Sequence, residues 1–134
     1  MLKDTNLALQ ATTATRIANG TYNSTALQID GTPKSRHAMN AQVLWSGNTS
    51  ASTSTGTFYL EHSDDNATWY GLTPQTNLPP EQLAALTTAA ATGTIDLPNI
   101  TTDKKWIRLV CVVSGGGTLT PGLSYKAYLG LSKP

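Results

Sequence analysis

Apolar residues along this chain alternate with polar ones in short runs, and the clearest of these runs lie near the C-terminus. Trp106-Ile107-Arg108-Leu109-Val110-Cys111-Val112-Val113 is long, β-branched and apolar. A glycine-rich break follows over 114–122, and Leu123-Ser124-Tyr125-Lys126-Ala127-Tyr128-Leu129-Gly130-Leu131 then alternates in twos. Successive side chains of a strand point to opposite faces, so Leu123, Tyr125, Ala127, Leu129 and Leu131 are predicted to share one buried face. In the preceding run, Ile107, Leu109, Cys111 and Val113 form one wholly apolar face. The other carries Trp106, Val110 and Val112, broken only by Arg108. A strand apolar on both faces needs a second cover, from a loop of its own chain or from another subunit.

Earlier segments read the same way. A short strand is predicted over 26–29, closed by the turn Asp30-Gly31-Thr32-Pro33. Another runs over 36–45, with His37, Met39, Ala41, Val43 and Trp45 on one face. Residues 46–56 are Ser, Thr, Gly, Asn and Ala, which predicts an exposed mobile loop. A third strand over 57–62 turns Phe58 and Leu60 inward, and the turn Ser63-Asp64-Asp65-Asn66 returns the chain antiparallel over 69–72. Two prolines before Glu81, with Leu83 and Leu86 at i,i+3 and Gly93 as a stop, predict one short helix over 79–91. A strand over 94–97 ends at Pro98-Asn99. Residues 1–25 hold isolated apolar residues, among them Leu2, Leu7 and Leu9, which is too little to order a segment alone. The reading is an extended N-terminal arm (1–25), laid on this domain, a neighbour or another protein, and an all-β, jelly-roll-like antiparallel β-sandwich (26–134).

Composition narrows the function. The chain has 134 residues, enough for one domain with a sizeable core. Its net charge of +1 comes from scattered cations, which gives no footprint for nucleic acid or an anionic membrane. Charged residues are only 13% of the chain, so hydroxyls and amides supply the polarity. The single cysteine, Cys111, lies in an apolar strand and reads as a small core residue. The first residues contain no apolar secretory core, so synthesis in a cytoplasm is expected. The sequons at Asn19, Asn23, Asn48, Asn66 and Asn99 are then a product of composition.

Candidate chemistry is sparse. His37 and His62 have no Cys or carboxylate at zinc-ligand spacing. Glu61-His62-Ser63-Asp64-Asp65 collects general-base residue types, but neighbours on a strand diverge, and a triad has to converge. Asp64, Asp65 and Asn66 offer fewer oxygens than calcium requires and suit a turn. Gly115-Gly116-Gly117 lacks the Lys-Ser/Thr and the helix of a phosphate loop. Trp45, Trp69 and Trp106 with the tyrosines could form a sugar-stacking platform or pack in the core. The expectation is no enzyme, no cofactor and no metal.

The run Phe58-Tyr59-Leu60-Glu61-His62-Ser63-Asp64-Asp65-Asn66-Ala67-Thr68-Trp69, then Trp106-Ile107-Arg108-Leu109-Val110 and the closing Gly122-Leu123 … Leu129-Gly130-Leu131, resembles the jelly-roll capsid cement (decoration) proteins of tailed bacteriophages. The likeness spans about residues 27–131 and is weakest over 34–57 and near Glu81. It implies a structural protein of the virion, made in the host cytoplasm and seated on the capsid surface. Its partners would be the major capsid protein and itself, as a homotrimer or dimer, with no nucleic acid and no membrane. Leu2, Leu7 and Leu9 are the expected anchors of the arm on a partner. The alternative is a carbohydrate- or receptor-binding module of a phage tail fibre or baseplate.

Overall fold

The computed structural model describes residues 8–16, 20–28, 39–48, 55–71, 82–85, 91–100, 102, 104–114 and 122–131. They form ten strands and, among the described residues, no helix: β1 (Ala8–Arg16), β2 (Gly20–Asn23), β3 (Leu27–Gln28), β4 (Met39–Asn48), β5 (Thr55–Ser63), β6 (Tyr70–Gly71), β7 (Gln82–Ala85), β8 (Ala91–Ile100), β9 (Trp106–Ser114) and β10 (Gly122–Leu131). The first sheet has the order β1-β10-β4-β8. In the second, β9 and β5 form the centre, with β2 and β3 on the outer edge of β9 and β6 and β7 on the outer edge of β5. All pairings are antiparallel. The chain is an all-β protein of two antiparallel sheets, a β-sandwich.

The core is built from the alternating faces that the sequence marks. Leu123, Tyr125, Ala127 and Leu129 of β10 face Ile107, Leu109, Cys111 and Val113 of β9, all nearly inaccessible to solvent. Ala41 and Val43 of β4, Phe58 and Leu60 of β5, and Ile95 of β8 complete the cluster. Phe58 and Tyr125 meet edge to face between the sheets at 5.2 Å, a geometry worth about 0.5–1.5 kcal/mol beyond the area it buries. Two glycines are set by close approach. A Cβ on Gly56 would stand 2.7 Å from Leu123 Cδ2, and one on Gly93 would stand 2.8 Å from the indole nitrogen of Trp45, its register partner.

Three expectations change. The first is the helix over 79–91, because Gln82–Ala85 is strand β7, paired with Thr55–Phe58 of β5. Beyond the two residues matched by β6, the edge of β5 needs hydrogen-bond partners, and alanine's helix preference of tenths of a kcal/mol per residue does not outweigh them. The second is Pro98-Asn99, which lies inside β8 and does not end it. Proline is tolerated there because β8 is an edge strand and its register with β4 shifts opposite Pro98-Asn99, between Met39 and Ala41. The third, an arm over 1–25 laid on this domain, a neighbour or another protein, narrows to the first of these for its described part. β1 pairs with β10 and β2 with β9, so the described part of 1–25 belongs to the sheets. An edge strand takes its order from the ladder it joins, so a sparse apolar pattern does not keep it apart. Strand ends also move outward: 46–48 extend β4 and 55–56 begin β5, which leaves 49–54 of the expected loop outside the described residues.

Between β2 and β3 the ladder continues through a side chain. Ser24 N donates to Leu109 O at 2.9 Å, and Leu109 N donates to Ser24 Oγ at 2.9 Å. The hydroxyl takes the place of a backbone carbonyl, so β2 and β3 form one interrupted strand along β9.

Candidate functional site

The β5–β6 hairpin sorts the acidic and histidine cluster into separate tasks. Glu61 and His62 alternate across the strand, so they cannot meet. His62 Nδ1 lies 2.7 Å from Thr102 Oγ1, which also accepts from Lys104 N at 3.1 Å. Ser63 is fully buried and donates to Asp65 Oδ1 at 2.9 Å, and its own carbonyl accepts from Lys105 N at 3.1 Å. Histidine and serine hydroxyl therefore have different partners, and no nucleophile–base pair forms between them.

Asp65 is the hub of the turn. Its Oδ1 accepts from Thr68 N at 2.8 Å and Ala67 N at 3.0 Å as well as from Ser63. These donors, the Thr68 amide foremost, lower its pKa from 3.8 to about 2. Asn66, at φ 57°, takes the left-handed position that an asparagine tolerates. Asp64 turns away to Lys104 Nζ at 3.1 Å, and that ammonium also stands 5.5 Å from the centre of the exposed Tyr70 ring. The two carboxylates diverge, and among the described residues no three His, Cys, Asp or Glu side chains gather.

On the outer face of the second sheet, Arg108 and Glu61 are register partners. Arg108 Nε and Nη2 both donate to Glu61 Oε1, at 2.9 and 2.7 Å, and the Trp69 ring covers the guanidinium with its centre 4.1 Å away. The side chains of Arg108 and Glu61 are only 20% and 18% exposed. Val110, beside them on the same face, is buried to 1% although it lies outside the central core cluster. On this face of β9, Trp69 of the same chain covers Arg108.

The outer face of the first sheet carries a shallow, open depression of about 400 Å3 over β8, β4 and β10. The outward residues that line it are Leu44, Ser46, Thr92, Thr94, Ser124 and Lys126.

Of the expected anchors, Leu9 lies in the core of this domain at 1% exposure, while Leu2 and Leu7 fall outside the described residues, as does His37. The three tryptophans do not assemble into a platform. Trp45 packs on the core over Gly93 in the first sheet, whereas in the second Trp69 covers Arg108 and Trp106 pairs with Ser63, two residues along β9 from Arg108. The Arg108–Glu61–Trp69 stack carried a partial signal in the sequence, a lone arginine on an otherwise apolar strand. The depression carried none, because it depends on the register of three strands distant in sequence. A scan against protein-family models finds no match, and a search of curated proteins finds no similar sequence.

Proposed function

We propose that this chain is a structural protein of a tailed-bacteriophage particle that binds the outside of the capsid and bridges neighbouring major capsid proteins. The observation that carries the reading is the strand order. With β2 and β3 taken as one position and β6 and β7 as another, eight positions follow the orders 1-8-3-6 and 2-7-4-5. That is a long hairpin, pairing 1 with 8, 2 with 7, 3 with 6 and 4 with 5, rolled until 8 meets 3 and 7 meets 4. That order supports the jelly-roll reading, an arrangement that recurs in viral capsid proteins and also in lectins. The hairpin ending in Trp69 adds the sequence resemblance. The mechanism is avidity: many copies with modest contacts oppose rupture together. Leu2 and Leu7 are the proposed anchors, and a homotrimer the proposed assembly, with a dimer as the alternative.

The test is co-sedimentation of the full chain with shells assembled from the major capsid protein of the phage whose genome encodes it. Saturable binding at a fixed ratio to capsomers, with a raised rupture temperature, is the expected result. Shells that sediment without the protein at any ratio would sink the proposal. Light scattering of the free and shell-bound protein tests the trimer, and monomers in both states would refute self-association.

A further inference from the structure

We propose that the outer face of the first sheet binds an acidic oligosaccharide through Lys126 and the hydroxyls around it. This does not depend on the capsid reading. The strand register sets outward residues in a grid: Ser124, Ser46 and Thr92 in one row, Lys126, Leu44 and Thr94 in the next, and Tyr128, Gln42 and Asp96 in the third. Columns are ~4.8 Å apart across the strands and rows ~6.8 Å apart along them. The depression lies over the first two rows.

Three features of the grid select the ligand. Hydroxyls donate and accept, so Ser46, Thr92, Thr94 and Ser124 match a ligand dense in hydroxyls in many orientations. Leu44, in the middle, offers a small apolar floor for the C–H face of a sugar ring. Charge supplies the third: among the described residues no carboxylate pairs with Lys126, while Asp96, the grid's own carboxylate, accepts from Gln42 Nε2 at 3.4 Å. A carboxylate on the sugar completes the lysine, which a neutral sugar leaves in water. A nucleic acid needs several phosphate contacts, and one lysine does not supply them. A protein partner is less suited, because no arginine, tyrosine or tryptophan side chain rises from these two rows as an anchor.

A site this open binds in the millimolar range, so the probe is an NMR titration of the full chain with tetragalacturonate, and with cellotetraose as its neutral counterpart. The expected result is amide shifts at Leu44, Ser46, Thr94 and Lys126 with tetragalacturonate, and Lys126→Gln should weaken that binding about tenfold. Lys126 is on the surface, so an unchanged spectrum elsewhere confirms that the variant is folded. Equal binding of the two sugars, unaffected by Lys126→Gln, would overturn the charge selection. No shifts at the grid, or shifts confined to the β5–β6 hairpin, would overturn the site. Loss of shell binding in Lys126→Gln, with neither sugar shifting the grid, would reassign the face to a protein partner and refute the proposal.

Discussion

Leu9→Ala separates a packed N-terminal strand from a loose arm. Leu9 is 1% exposed and lies in the central cluster, between register partners Ala8–Tyr128 and Gln10–Ala127 of the β1–β10 ladder. The substitution removes three carbons, about 2.4 kcal/mol of transfer free energy at roughly 0.8 per methylene, and leaves a cavity. The total cost is about 3 kcal/mol, within the range of about 2–5 for buried Leu→Ala changes. Against a domain stability of about 5–15 kcal/mol this is a large fraction, and it should lower the melting temperature by about 10 °C. Urea titration followed by tryptophan fluorescence measures the difference. A change below about 0.5 kcal/mol, the size of an ordinary surface substitution, would mean that β1 is not packed and that the arm stands apart. Deletion of residues 1–25 extends the same test. The sequence pattern alone predicts no effect on the free domain, whereas loss of β1 and β2 should cost more than Leu9→Ala by itself.

Other outcomes follow from the same contacts. A double-mutant cycle on Arg108→Ala and Trp69→Ala should give a coupling of about 1–2 kcal/mol, because the stacked pair is largely shielded; a value near zero would show that the ring only happens to lie there. Gly56→Ala puts a methyl against Leu123, which is fully buried, and should destabilise by about 1–3 kcal/mol in thermal melts; a neutral result would mean β5 and β10 are not so close. Asp65 has a folded pKa below its unfolded value, so its contribution is complete above about 4 and is lost as pH falls towards about 2. Hydrogen exchange at the Ala67 and Thr68 amides should accelerate across that window, and Asp65→Asn should remove the pH dependence; an unchanged profile would contradict the assignment. Leu2→Ala with Leu7→Ala should reduce shell occupancy without altering the melting temperature, and undiminished decoration would remove their anchoring role.

The sequence disclosed the faces better than the boundaries. Period-two alternation identified the buried residues of β9 and β10, because burial on one side of a pleated strand leaves that imprint directly. It missed β7 and understated β1, since short edge strands take their conformation from the neighbour they join, and nothing local in Gln82-Leu83-Ala84-Ala85 or Ala8-Leu9-Gln10-Ala11 records that neighbour. The hairpin chemistry of Asp65 and Asn66 was legible, because an Asx turn is completed within four residues. The Trp69 cover on Arg108 was not, since it joins positions 39 residues apart through pairing of β5 with β9.

The pairing of β1 with β10 also dictates an order of events. The first and last described strands of the chain lie side by side, so the first sheet lacks its second member until the C-terminal residues have been synthesised. A nascent chain can form the β5–β6 turn early, from neighbours in sequence. Until β10 has emerged, β1 waits with its ladder open and β4 has only β8 beside it, so β10 joins the sheet last. Such non-local closure places folding of the free protein in the range of roughly milliseconds to seconds, with the ends joining late.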